Sequence, residues 1–154
     1  MGTRSLTYVY ENHKDEQGNK VEQPIICLYR QYDGYPTGHG AELADYLTGM
    51  YVVNGLGATD DQKVANGMGC LAAQLVAHFK NEAGQFYLHA PVLNADHWQE
   101  YEYHIQQDRI LVYGYDKEIF SGTWSEYFAW ILEQVQEEQN ENDLSNKKLA
   151  VGGV

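Results

Sequence analysis

Residues 101–124 read YEYHIQQDRILVYGYDKEIFSGTW, and this stretch decides the fold. Tyr101, Tyr103 and Ile105 alternate with Glu100, Glu102, His104 and Gln106. Successive side chains on a strand point to opposite faces, so a period of two predicts a strand with one buried and one wetted face. Gln107-Asp108 is a short turn into a second strand at 110–115, and Asp116-Lys117 turns the chain again into a third at 118–121. Links of two residues join antiparallel neighbours, so the stretch predicts a three-stranded meander. Thr123, with Glu126 three positions later, is a capping box. It opens a helix near Trp124 whose apolar stripe is Phe128, Ile131, Leu132 and Val135.

Upstream, residues 6–10 are rich in β-branched and aromatic side chains and predict a strand. Residues 11–23 are polar except for Val21, and a further strand at 25–32 opens after Pro24. Two strands joined by a polar loop predict an antiparallel hairpin with a long tip. Residues 33–40, DGYPTGHG, are dense in Gly and Pro and predict a loop. A short helix follows at 41–47, then a brief strand at 50–53 and a turn at 54–57. The clearest helix spans 68–80, where Met68, Leu71, Ala72, Leu75, Val76 and Phe79 fall at i, i+3, i+4, i+7, i+8 and i+11. Asn66 is its predicted N-cap, and Gly84 lies just past its end. Residues 86–89 predict another strand, ended by Pro91.

Together these elements predict an α+β domain: an antiparallel sheet of about five to six strands with two or three amphipathic helices packed on it. It occupies 1–135 as one domain, with 136–154, polar and then small and apolar, as a flexible C-terminal tail. A chain of 154 residues with 44% apolar side chains can bury a core without staples.

Acidic residues number 22 against 10 Lys and Arg, for a net charge of −12. Affinity for nucleic acid rests on cations that neutralise phosphates, so general DNA or RNA binding is excluded and a basic partner is favoured. Cys27 and Cys70 lack metal or redox spacing and read as small reduced thiols. No run approaches the roughly 18 apolar residues of a membrane span. The opening residues lack the apolar core of a signal peptide, and Leu6 stands where a myristoylation signal needs Ser or Thr. The expected location is the cytoplasm, away from membranes.

Two glycine-rich segments run into helices: 34–40, and Asn66-Gly67-Met68-Gly69. A helix start offers free N–H groups and a positive dipole end, and glycine lets an anion approach the backbone. Gly67-Met68-Gly69-Cys70-Leu71-Ala72 spells the dinucleotide-binding pattern, but that pattern needs a strand before it, and 60–65 is polar and strand-poor. Arg30 is in line with Ile26, Leu28 and Tyr32, toward the helix side of its strand, where it needs Asp33, Glu42 or a ligand anion as partner. The candidate ligand-binding set is therefore Arg30, Tyr32, Tyr35, Gly38, His39, Gly40, Asn66, Gly67, Met68 and Gly69. The chain has thirteen tyrosines, and Tyr8, Tyr10, Tyr29, Tyr101, Tyr103, Tyr113 and Tyr115 also fall in or beside strands. Such rings suit a half-buried pleated face, or wall a pocket where they stack on a base or sugar. The six histidines lack metal-ligand spacing, no nucleophile elbow occurs, and no metal or cofactor is expected. His39 and Glu42, three apart, are the pair a small hydrolase would use.

At residues 30–40 and 66–75, in the opening MGTRSLT and at Tyr101-Glu102-Tyr103-His104, the chain resembles a family of small uncharacterised α+β proteins carried by tailed bacteriophages, cyanophages among them, and by some bacteria. The likeness spans most of residues 1–125 and carries over no functional residue. It implies a viral accessory protein acting in the cytoplasm of a bacterial host. Joined to the anion-ready loops, it yields the leading expectation: a non-enzymatic protein binding a small anionic ligand such as a nucleotide signal of host defence, in the manner of a sponge. The alternatives are an acidic interaction protein that inhibits a basic host protein, its charge concentrated at 133–143, and the His39/Glu42 hydrolase. A second copy of the chain, in a homo-oligomer, is a further compatible partner.

Overall fold

The computed structural model describes residues 2–55 and 63–152. The meander forms from β6 (Tyr101–Gln106), β7 (Arg109–Gly114) and β8 (Lys117–Thr123), each pair antiparallel. The second turn sits one residue earlier than predicted. Tyr115 and Asp116 take φ of 51° and 65°, the left-handed pair that matches the twist of a two-residue hairpin.

β1 (Ser5–Lys14) and β2 (Lys20–Arg30) form an antiparallel ribbon paired out to Lys14 and Lys20. The polar stretch predicted as a long loop is thus mostly ladder. Its side chains are exposed because the ribbon projects past its neighbours, and the tip is closed by Asp15 Oδ1, which accepts from the amides of Gln17 and Asn19. The register shifts between Val9 and Tyr10, opposite Pro24. Proline cannot donate to the ladder, and a bulge accommodates it.

A π-helical turn (Pro36–Gly40) leads into α1 (Ala41–Leu47). β3 (Met50–Val53) and β4 (Lys63–Asn66) pair in parallel as a separate two-stranded sheet, and the predicted turn at 54–57 lies partly outside the described residues. α2 (Gly67–Phe79), β5 (Phe86–His89) and α3 (Trp124–Gly152) complete the order.

The main sheet runs β5-β2-β1-β6-β7-β8, and β1 pairs with β6 in parallel. The fold is α+β as expected, but the sheet is mixed rather than antiparallel. β5 is antiparallel to β2 and so runs in the sense of β1. Residues 90–100 return across the sheet, and β6 re-enters on the far side of β1 in that same sense.

The helices cover one face. Val9, Leu28, Tyr103, Ile105, Ile110 and Val112 meet Leu43, Leu47, Leu71, Leu75, Tyr127 and Ile131 in one buried cluster. On the other face Leu6, Tyr8, Cys27 and Tyr29 form a second cluster. The 90–99 segment is fixed to this face, with Tyr8 donating its hydroxyl to the Val92 carbonyl (3.1 Å) and His97 stacked on His89 at 4.0 Å.

The capping box of α3 closes both ways. The Thr123 amide donates to Glu126 Oε1 (2.9 Å) and the Glu126 amide to Thr123 Oγ1 (3.2 Å). Thr123→Ala is expected to lower stability by about 1 kcal/mol, read as a shift in the denaturant midpoint at unchanged slope. The buried residues of α3 are Trp124, Tyr127 and Ile131, with Phe128 and Val135 half-buried, whereas Leu132, assigned to the apolar stripe, is exposed. The helix continues to Gly152, over positions whose polarity predicts a tail. The run is rich in Glu, Gln and Lys, good helix formers, and holds no Pro and no Gly before Gly152. No helix among the described residues is long and apolar enough to cross a membrane.

Candidate functional site

Arg30 ends β2 on the helix side, as its alternation predicts, and is 5% exposed. Its Nε donates to the Tyr32 carbonyl (2.7 Å), its Nη1 pairs with Glu42 in the first turn of α1, and its guanidinium lies over the Phe86 ring at 5.0 Å. Nη1 also sits 3.2 Å from His39 Nδ1. Guanidinium only donates, so Nδ1 accepts, and Nε2–H donates to Thr7 Oγ1 at 2.7 Å. His39 is wholly buried, and burial, with Arg30 adding to it, pushes its pKa down to about 3. The ring is a neutral strut between β1 and β2. A general base must reach the proton it takes, and this imidazole reaches only Arg30 and Thr7.

A cavity of about 290 Å³ lies beside this cluster, and its wall includes Arg30, Glu42, Phe79, Glu82 and Phe86. The single arginine there is already matched by Glu42, and Glu82 adds a second carboxylate.

The loop before α1 is closed on itself. The Gly38 and Gly40 amides donate to the Tyr35 carbonyl (3.0 and 3.3 Å), the His39 amide to Asp33 (2.7 Å) and the Gly34 amide to Thr3 (2.9 Å). The anion cradle expected at Gly38, His39 and Gly40 finds these donors engaged. From the other side, Tyr103 and Tyr127 donate their hydroxyls to the carbonyls of Gly34 (2.8 Å) and Gly40 (2.7 Å). A Cβ at Gly40 would stand 3.2 Å from both hydroxyls, so this close approach calls for glycine.

At α2, the strand that the dinucleotide pattern requires is present, contrary to expectation: β4 runs directly into Gly67, whose φ is 82°. Ala65 is buried and Val64 half-buried, enough to anchor a polar strand. The remainder of the unit is missing, because α2 leads into β5 of the other sheet. Asn66 does not cap the helix. Its Oδ1 accepts from the Gly55 amide at 2.9 Å. Met68 is buried in the core, and a Cβ at Gly67 or Gly69 would meet nothing within 4 Å among the described residues. Arg30 shares a cavity wall with Phe79 at the opposite end of α2, and a helix of 13 residues is roughly 20 Å long. The two glycine segments therefore cannot grip one small ligand.

Tyr35 leads elsewhere. It stands at one end of a groove of about 550 Å³ between the π-helical turn, the meander and α3, walled by Tyr35, Tyr101, Tyr115 and Trp130 and rimmed by Glu137, Glu138 and Glu141. Tyr101 and Tyr115 pack edge to face at 5.6 Å, and Thr37 donates its hydroxyl to Glu138. Burial holds the Tyr35 and Tyr101 phenols above their ordinary range, helped by Asp33 at the first and Tyr115 at the second, so both rings stay neutral. Among the described residues, no Lys or Arg lines the groove. Its ingredients, the tyrosines and the acidic 133–143 run, were visible in the sequence, but their meeting was not, because it depends on α3 continuing where a tail is predicted.

Among the described residues, no group of three or more His, Cys, Asp and Glu is placed to hold a metal ion. Both cysteines are free thiols, and burial pushes Cys27 up to about 11. Comparison with protein-family models, with curated proteins and with solved structures finds no match for this chain.

Proposed function

We propose that the protein is a binding protein whose aromatic, acidic groove docks a basic segment of a partner protein. The observation that carries this reading is the convergence of four aromatic rings and three glutamates, with no neighbouring cation in the wall, on a chain of net charge −12. A Lys or Arg head over an exposed aromatic face gains about 0.5–1 kcal/mol, and Arg also stacks its plane on the ring. Each glutamate at the open rim adds about 0.2–1 kcal/mol, and the summed negative potential speeds encounter more than it deepens affinity. If the chain is of the phage kind its sequence resembles, the partner is a basic protein of the bacterial host. The small-anion reading lacks support of this kind, since the donors of the π-helical turn are engaged and Arg30 is matched by Glu42. The hydrolase reading lacks it too, since His39 is sealed from solvent.

Calorimetric titration with an arginine- and lysine-rich peptide tests the proposal. Binding is expected to weaken as salt rises, and to fall about tenfold in the triple variant Glu137→Gln, Glu138→Gln, Glu141→Gln. A control triple at exposed positions on the distant ribbon, Glu11→Gln, Glu16→Gln, Glu22→Gln, removes the same charge. An equal loss in the control would reduce the effect to net charge and refute the groove.

A further inference from the structure

On the sheet face away from the helices, Tyr10, Glu102 and His104 form a hydrogen-bonded chain. The Tyr10 hydroxyl lies 2.6 Å from His104 Nδ1, and His104 Nε2 lies 3.1 Å from Glu102 Oε1. The second carboxylate oxygen of Glu102 accepts from Gln99 Nε2 at 3.4 Å. The parallel pairing of β1 with β6 brings these residues together, because Tyr8 sits opposite His104 and all of them point to one face. Tyr8 stacks on the imidazole (4.9 Å, 10°) and Tyr113 meets it edge-on (5.4 Å, 82°), so the ring is held on two sides.

The hydrogen bond from His104 holds Glu102 below the usual carboxylate range, so Glu102 accepts and Nε2 carries the proton. With the ring neutral, Nδ1 accepts from the Tyr10 phenol, which desolvation keeps protonated by raising Tyr10 to about 12. The groups left free are acceptors: lone pairs on the Tyr10 oxygen and the remaining ones on Glu102.

These acceptors face a cavity of about 470 Å³, which lies within the range of small-molecule sites. Its walls are the rings of Tyr10, His104 and Tyr113 with Leu93 and Leu111, and it carries the carboxylates of Glu102 and Asp116 without a Lys or Arg. Leu93 comes from the 90–99 segment, which adds Asn94 to the lining as well.

We infer that this cavity is a binding site for a small organic cation, an ammonium or amidinium group on an aromatic or aliphatic body. The nitrogen meets Glu102, Asp116 and the Tyr10 oxygen, and the body packs between Tyr113, Leu93 and Leu111. An anion is rejected by the two carboxylates. A neutral isostere keeps the packing and forfeits the charge. This site is distinct from the α3 groove and does not depend on the reading given to it.

The test uses the whole chain with benzylammonium, benzyl alcohol and benzoate as probes, followed by NMR at the His104 and Tyr113 rings. A ligand of this size gains little per atom, so saturation is expected in the range of about 1 mM. Benzyl alcohol is expected to bind about tenfold more weakly, and benzoate not at all. Asp116→Asn lies at an exposed left-handed turn position that asparagine accepts, and Glu102→Gln keeps an acceptor for His104. Each is expected to weaken benzylammonium several-fold while leaving the thermal unfolding midpoint of the variant near that of the parent. Equal binding of benzoate and benzylammonium, or no saturable change at His104 and Tyr113 up to about 10 mM in the folded protein, would overturn the inference.

Discussion

Tyr127→Ala is expected to cost about 3–5 kcal/mol of folding stability, measured by chemical denaturation. The ring is wholly buried, packs near Phe120 and Trp130 at 5.6 and 6.0 Å, and donates its hydroxyl to the Gly40 carbonyl at 2.7 Å. Alanine would open a void between α3 and the loop before α1, and remove the side-chain donor to the Gly40 carbonyl. The two contributions separate experimentally. Tyr127→Phe keeps the ring and removes only the donor, for an expected loss of about 1–2 kcal/mol. A loss below about 1 kcal/mol for the alanine variant would mean that α3 does not hold that loop.

The second large effect is a loss of stability in mild acid. In the folded chain His39 has a pKa lowered to about 3, with burial the main cause and Arg30 the second, while an unfolded histidine titrates near 6.5. Above about pH 6.5 both states hold neutral imidazole, and the full stability is present. As pH falls below that value the unfolded chain gains a proton that the folded chain refuses, so stability drops by up to about 1.4 kcal/mol per pH unit. The loss from this one group between about pH 6.5 and pH 4 amounts to about 3 kcal/mol, and it tapers off near pH 3, where the folded ring also protonates. His39→Gln retains an acceptor for Arg30 and a donor for Thr7 but does not titrate. Unfolding free energies at several pH values from about 4 to 7 should diverge between the parent and this variant, the parent having the steeper slope. Parallel slopes would show that the buried histidine is not the acid-sensitive element.

What could be read from the sequence was what neighbouring residues settle among themselves. The alternation around Tyr103 and the Thr123/Glu126 capping box are local patterns, and the structure reproduces both. The α2 stripe from Met68 to Phe79 is likewise an internal periodicity, and its buried residues follow it. Parallel pairing of β1 with β6 has no local signature. Ser5 meets Tyr101 only because residues 90–100 cross the sheet, and no turn chemistry announces that return. The polar ribbon from Glu11 to Gln23 was hidden for a related reason, since strands that extend past the sheet need no apolar face. At the candidate sites, the partner of Arg30 was legible: a cation on an apolar alternation needs a counter-charge, and Glu42 was among those named. The engagement of the Gly38 and His39 amides was not legible, because it depends on how the π-helical turn folds back on Asp33 and Tyr35. The α3 groove and the Tyr10–His104–Glu102 chain each join elements far apart in sequence, so composition showed their residues without their meeting.

The docking of a basic segment between the π-helical turn, the meander and α3 is tested most directly by a heteronuclear NMR titration with the arginine- and lysine-rich peptide. The expected result is saturable movement of the Trp130 indole N–H together with the backbone signals of Tyr101, Tyr115, Gln134 and Glu138, while the signals around Glu11, Glu16 and Glu22 stay in place. Movement spread evenly over all the acidic surfaces, or an unmoved Trp130 at saturating peptide, would contradict it.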